Sequence, residues 1–476
     1  MWSDRLSPSC RRELAEQLRR ALPAPRAKAR SATASLGSER EPAAVAEALW
    51  PQADFVWFDR PGESRIFPDP IARLKVCGGR AVVTGPGGEV RAEARGFDLI
   101  EAALEAWGRI PGALLCGYLG YELGSELEEV AQPERRSADP PDLRLGLYDW
   151  GLEWRVGGWV LAGTDAWRGE DGLAVSTTEA YEFLETPAPR ECHSLHRGPV
   201  TSTPSAGGYE AAVARTVERI YQGELFQVNL CRKLETLWPG NALWPLYRRL
   251  RAISPASEGA LLRTGPASGV LSVSPELFLS AEKGVVRSCP IKGTRPRGET
   301  PEEDRERAAA LLASEKDRAE LAMIVDVTRN DLGRVCVPGS VAVARHAELM
   351  TLPTVHHTWS EVTGRLRADA GPADLLRAAF PPASISGAPK IRAMEIAAEE
   401  EGFRRGPSMG GIGWLSLEGD MHWSVAIRSA VASEDRLWYL AGCGITAESV
   451  PEEELAESEA KAAAFRRALE SAGADR

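Results

Sequence analysis

Chemistry in this chain would have to come from an isolated lysine, from carboxylates at helical spacing and from small-residue turns. Lys292 lies in Pro290-Ile291-Lys292-Gly293-Thr294, a loop between a strand-like segment, 284–288, and a helix start at Thr300-Pro301-Glu302-Glu303. Only eight of the 57 basic residues are lysines. Arginine serves wherever a generic surface cation suffices, so each lysine is a better candidate for work that needs an ammonium or a free amine. A lysine becomes a nucleophile when desolvation or a neighbouring cation lowers its pKa; without either, Lys292 is a surface cation. Glu454, Glu457 and Lys461 fall at i, i+3 and i+7, on one face of a C-terminal helix. Glu320 lies on another helix among Ala319, Leu321, Ala322 and Met323. A solvated Glu457–Lys461 pair at i,i+4 accounts for part of this pattern. The alternative is that Glu320 and Glu457 meet across two helices around Mg²⁺, which takes one or two protein carboxylates and completes its octahedron with water and substrate oxygens.

Ser386-Gly387-Ala388-Pro389-Lys390 places small residues and a proline just before a helix. Free backbone N–H groups there, with the helix dipole behind them, attract a carboxylate or phosphate; an ordinary helix start reads the same way. Gly442-Cys443-Gly444 after a strand allows close backbone approach. Two other motifs read as bland. Gly406-Pro407-Ser408-Met409-Gly410 matches a G-x-S-x-G elbow, but Gly411-Ile412-Gly413 follows it where a helix must begin. Cys116-Gly117-Tyr118-Leu119-Gly120 has no histidine and carboxylate partners with which to build an amidotransferase triad, so Cys116 reads as a packed strand cysteine.

Positioning these residues requires strands and helices in irregular order. Residues 80–84, 117–121 and 154–162 read as strands, with a helix over 97–107. Residues 209–223 have helical spacing and 226–234 strand character, and 269–280 and 423–433 each read as one continuous strand. Thr300 caps one helix, Ser314 restarts a second to about residue 330, Gly402 closes a helix over 391–401, and 451–472 is a helical end. The order predicts an α+β fold. The reading divides the chain into an Arg/Ala-rich extension (1–40), an N-terminal α+β region (41–185), a linker (186–207) and a catalytic domain (208–472).

Composition narrows the function. The net charge of −11 disfavours nucleic acid or an anionic membrane as the main partner, and no apolar run is long enough for a spanning helix. Eight scattered cysteines form no close pair, and six histidines do not suggest a zinc enzyme. The first forty residues lack an apolar signal core; a surface helix with a frayed extension, and a cytoplasmic compartment, are expected.

Taken in order, the motifs are specific. They run Gly223-Glu224-Leu225-Phe226-Gln227-Val228-Asn229-Leu230, Ser274-Pro275-Glu276, Pro290 to Arg295, Ala319-Glu320, Arg329-Asn330-Asp331-Leu332-Gly333-Arg334, Val355-His356-His357, Ser386 to Lys390, Ala426-Ile427-Arg428, and Gly442 through Glu457. This series resembles the chorismate-utilising enzyme family, which includes the anthranilate, aminodeoxychorismate, isochorismate and salicylate synthases. The match is dense over 205–470 and looser before it, where Gly117 to Glu122 and Pro141-Asp142-Leu143-Arg144 carry it.

The resemblance implies a two-subdomain β-sandwich of antiparallel sheets with helices outside. It implies Mg²⁺ on Glu320 and Glu457, bridging to the ring carboxylate of chorismate. Arg428, Lys461 and the backbone at Gly444 would hold the enolpyruvyl carboxylate, and Gln227, Thr294, Ser384, Gly387, Ala388 and Lys390 would complete the substrate site. Glu276 would be the general acid for the departing 4-hydroxyl, with His357 assisting from the other side of the ring. Isochorismate and salicylate synthases resemble one another in a water-activating lysine where this chain has Gln227, an amide that cannot act as a base. Anthranilate synthases place alanine where this chain has Lys292. The resemblance therefore implies an aminotransferase of the folate branch: Lys292 attacks the ring, ammonia displaces it, and a separate glutamine amidotransferase supplies the ammonia. Anthranilate formation is the alternative within the family, and a non-catalytic chorismate-binding subunit the alternative outside it. Ser408 and Ser384 replace a tyrosine and a threonine of anthranilate synthases, and no tryptophan-feedback signature stands near Phe58-Asp59. No lyase domain is expected after the terminal helix.

Overall fold

Along the strand Val56–Arg60, Val56 and Phe58 point one way and Trp57 the other, and each face meets a different core. The same alternation recurs in Glu258–Arg263, where Ala260 and Leu262 join the first core and Leu261 the second. That two-faced burial is the signature of a central sheet covered on both sides. The computed structural model describes residues 6–26, 29–156, 158–168, 172–187, 198–238, 242–353 and 355–470. It contains two twelve-stranded sheets, and every strand pairing is antiparallel.

The first sheet runs Ser31–Ser35, Gly158–Thr164, Trp150–Arg155, Glu63–Phe67, Val56–Arg60, Glu258–Arg263, Gly269–Ser274, Ser429–Ser433, Arg436–Ile445, Gln227–Leu237, Thr201–Thr203, with Gly387–Ala388 beside the start of Gln227–Leu237. The second runs Ile291–Pro296, Val355–Arg365, Val285–Ser288, Leu277–Glu282, Met421–Val425, Gly411–Ser416, Leu114–Leu119, Leu143–Tyr148, Ala72–Cys77, Arg80–Gly85, Gly88–Glu93, with Ala342–Thr351 beside Val355–Arg365. The largest core joins inner faces of both sheets. The helices Pro42–Leu49, Leu243–Ile253 and Pro451–Glu470 cover the outer face of the first sheet. Ala206–Tyr221 and Lys390–Glu401 cover the ends of its strands Gln227–Leu237 and Arg436–Ile445.

The antiparallel sandwich matches the expectation. Each sheet is one block of strands from before residue 186 paired with one block from after it, joined where Val56–Arg60 meets Glu258–Arg263 in the first sheet and where Leu114–Leu119 meets Gly411–Ser416 in the second, so the regions 41–185 and 208–472 share both sheets. Of the expected linker, 188–197 lies outside the described residues, while Thr201–Thr203 is an edge strand. Much of the expected extension is part of the fold: Pro8–Ala21 buries Leu14, Ala15, Leu18 and Ala21, and Arg19 Nε donates to Ala106 O at 3.0 Å. Ser31–Ser35 pairs with Val160–Thr164.

Two strands read as continuous are each broken in two. Residues 269–280 divide at Pro275-Glu276, where the chain leaves the first sheet for the second; 423–433 divide at Ala426-Ile427-Arg428, where it returns. The two crossings lie side by side, with Val425 N donating to Glu276 O at 3.0 Å and Val273 N to Arg428 O at 3.2 Å. Hydrophobic periodicity is the same on either side of such a corner, so sequence pattern alone cannot see it.

Candidate active site

Eight pieces of chain converge here, the two crossings among them. The crossings bring Glu276 and Arg428; Ile291–Pro296 brings Lys292 and Thr294; Val355–Arg365 brings His357; Gln227 and Gly444 face each other at the ends of the adjacent strands Gln227–Leu237 and Arg436–Ile445; and the helices Glu315–Gly333 and Pro451–Glu470 bring Glu320, Glu457 and Lys461.

Lys292 is on an edge strand rather than in the expected loop. A bulge at Gly293, whose φ is +67°, shifts the register between Lys292 and Thr294 and re-aims the side chain. Space is tight there too: a Cβ would lie 2.9 Å from Leu311 and 3.0 Å from Asp317 and Thr358, whose side-chain ends would have to give. Thr358 Oγ1 donates to Lys292 O at 2.5 Å and anchors the bulge. The Lys292 amine reaches the backbone at Gly444: a Cβ there would come within 3.2 Å of Nζ and 2.4 Å of Gln227 Nε2. Desolvation by burial holds this amine below its ordinary pKa, against the pull of Glu320, and the Lys461 ammonium adds to the lowering.

Glu276 is 3% exposed, and burial pushes it up to about 7, against the Ser384 hydroxyl and the Lys292 cation, which both favour the carboxylate. Ser384 Oγ acts here through proximity, for it is buried without a hydrogen bond of good geometry. A carboxylic acid protonated near neutrality is suited to deliver a proton to a poor leaving group.

His357, 2% exposed, lies between Thr294 and Arg428. Its Nδ1 is 3.0 Å from Gly293 O and from Thr294 Oγ1, and its Nε2 accepts from Arg428 at 2.9 Å. Burial and the Arg428 charge push it down to about 4. Lys461 donates to Gly442 O at 2.8 Å and pairs with Glu457 at 2.7 Å, so the expected i,i+4 pair is present within the site.

Burial raises Glu320 above the ordinary carboxylate range. Glu457, about half exposed, is held low: desolvation raises it, and the ammonium groups of Lys461, Lys292 and Lys316 together outweigh that. Glu457, Glu454 and Cys443 offer ligand atoms within 4.8 Å of one another. Burial pushes the Cys443 thiol up to about 12, which leaves carboxylate oxygens as the available donors. Gln227 Nε2 donates to Glu320 at 3.3 Å while its buried Oε1 has no partner. Glu320 is not one of the group formed by Glu457, Glu454 and Cys443; the carboxylate oxygens that Glu320 and Glu457 bring from two helices are the hard donors that suit Mg²⁺ rather than a thiophilic metal.

Gly387 and Ala388 pair with Val228 and Gln227, where a Cβ on Gly387 would lie 2.2 Å from Gln227 O. They brace Gln227. Lys390 departs from expectation as a substrate group: its ammonium is committed to Asp331 at 2.7 Å and to Ala379 O at 2.9 Å, so the side chain is a structural tie. Gly406-Pro407-Ser408-Met409-Gly410 is a turn leading into a strand, and Cys116 is a buried strand residue.

Sequence reasoning missed Arg405. Its guanidinium, 2% exposed, donates to Glu401 at 2.6 Å, Asn229 O at 2.6 Å and Ile385 O at 2.9 Å, and covers the Tyr121 ring at 4.3 Å. It thereby locks the loop before Gly387 to the strand that begins at Gln227. Its spacing of four from Glu401 was the available signal.

The fold and this constellation define a class, and the comparisons agree: the chorismate binding enzyme family matches residues 52–467, and the chain belongs to it. Among relatives, the chain is 38% identical to aminodeoxychorismate synthase component 1 of Salmonella typhimurium, over 73% of this chain and 74% of that one. It is 40% identical to anthranilate synthase component 1 of Acetivibrio thermocellus, over 58% and 55%. The crystal structure of anthranilate synthase component I from Streptococcus pneumoniae superposes with a TM-score of 0.74 at 29% identity, covering 85% of this chain and 92% of that one.

Proposed function

We propose that the chain converts chorismate and ammonia to 4-amino-4-deoxychorismate, the activity for which its component 1 relatives are named. The observation that carries this reading is the desolvated Lys292 amine, aimed at Gly444 and Gln227 with the protonatable Glu276 in the same site.

A neutral Lys292 Nζ bonds to ring C2 as the two conjugated ring double bonds shift and the C4–O bond breaks. The Glu276 proton leaves with the hydroxyl as water. Ammonia then bonds to C4, both double bonds return, and the C2–N bond breaks to release Lys292; Glu276 carboxylate takes the proton that ammonia sheds. Two displacements replace one difficult substitution. Arg428 and Lys461 offer cationic donors for the enolpyruvyl carboxylate. Glu320 and Glu457 would hold Mg²⁺, which when bound supplies a counter-charge for the ring carboxylate. Gln227 has no base with which to activate water. A glutamine amidotransferase subunit would supply the ammonia, in keeping with the "component 1" of the relatives' names, and the reaction belongs to cytoplasmic folate biosynthesis.

Product analysis tests the reading. Protein, chorismate, Mg²⁺ and ammonium are expected to give a non-fluorescent product of aminodeoxychorismate mass that an added lyase converts to 4-aminobenzoate. Fluorescent anthranilate with pyruvate would replace the proposal by the alternative within the family.

A further inference from the structure

The histidine of the site has no nitrogen to spare. A guanidinium only donates, so His357 Nε2 must be the acceptor of the 2.9 Å bond from Arg428. The ring proton therefore resides on Nδ1, which donates to Gly293 O at 3.0 Å, with Thr294 Oγ1 at the same distance. The charged and titratable groups around the ring are Arg428 from the crossing, Lys461 from the terminal helix and His356 from its own strand, and all three oppose a second proton. Arg428 is equally distinctive. Its backbone is left-handed, φ +50°, and among the described residues no carboxylate lies within ion-pair distance of it. A guanidinium without a protein carboxylate, steered by one neutral acceptor, is free to receive a carboxylate from a ligand.

We propose that His357 is a positioning residue: it aims the Arg428 guanidinium at the substrate carboxylate and ties it, through Gly293, to the strand that carries Lys292. This goes beyond the functional proposal, on which it rests for the identity of the carboxylate. It replaces the expected assisting role at the ring, because an imidazole bonded at both nitrogens cannot exchange a proton with substrate without first releasing Arg428 or Gly293.

Steady-state kinetics of His357→Gln and His357→Ala, with chorismate, Mg²⁺ and ammonium across the range in which histidines titrate, separate the two roles. Glutamine can present Oε1 to Arg428 but cannot act as an acid or base. The alanine variant is expected to raise the chorismate KM about tenfold with kcat within about threefold, as for a lost ground-state contact. The glutamine variant is expected to recover most of the KM, and both should keep the native pH profile of kcat. A roughly 100-fold loss of kcat at unchanged KM in both variants, or the loss of one limb of the profile, would overturn the positioning role. If alanine unfolds the protein, the glutamine variant alone decides. Absence of turnover by the unmodified chain would remove the functional proposal and this inference together; normal turnover with a loss confined to kcat would remove this inference alone.

Discussion

Lys292 and Lys390 stand in two neighbouring regions with opposite logic. Lys390, largely covered, and Arg405, fully buried, each have a carboxylate within 2.7 Å and a backbone carbonyl besides. Around Lys292, Glu276 and Arg428 desolvation is also strong, but among the described residues direct partners of opposite charge are withheld: the amine has only longer-range carboxylates, the acid has no cation in contact, and the guanidinium has a neutral histidine. Burial with a partner makes a charge structural. Burial without one shifts the pKa and leaves the group available for chemistry.

The sharpest way to break that contrast is Lys292→Ala. It is expected to lower 4-amination by at least about 10³-fold while chorismate affinity changes by a few fold, read by mass spectrometry and by equilibrium binding. Unchanged turnover would put Lys292 in the structural class.

Glu276→Gln should follow, with kcat reduced about 10²-fold or more. Because its folded-state pKa lies above the ordinary 4.5, Glu276 favours folding fully below that value and loses the contribution as pH rises through about 7. The neutral variant should therefore be more stable than the native chain at mildly alkaline pH, by about 3 kcal/mol at most, in a thermal or denaturant melt. In the native chain, activity needs Glu276 protonated and Lys292 neutral at the same time, so a bell-shaped pH profile is expected.

Glu457→Ala is expected to raise the Mg²⁺ concentration for half-maximal activity about tenfold. Native metal dependence would leave Glu457 as the partner of Lys461 and nothing more. The smallest effect on catalysis belongs to Lys390→Met. Activity per folded molecule should stay within about twofold, while stability falls by about 3 kcal/mol because Asp331 is left buried and unpaired. A large rise in the chorismate KM would return Lys390 to the substrate site.

Local signals were legible wherever they are local in physics. Thr300 and Ser314 accept hydrogen bonds from Glu303 N and Asp317 N as their capping patterns predict, and Gly402 closes its helix in the left-handed conformation. The Glu457–Lys461 pair follows from helical spacing. What failed was non-local. The corners at Pro275-Glu276 and at Arg428 were hidden inside apparently continuous strands, and the burial of Arg405 among Glu401, Asn229 and Ile385 depends on segments far apart in the chain.

The sequence by itself determined the inventory: which residue types are present, their order, the caps and periodicities, and through the motif series the family. Only the tertiary structure decided which of them are reactive. Whether Lys292 is a desolvated amine or Lys390 a paired ammonium depends on what the other sheet, the crossings and the two helices bring against each one. Those contacts set dielectric and countercharge, and neither is a property of the residue or of its neighbours in sequence.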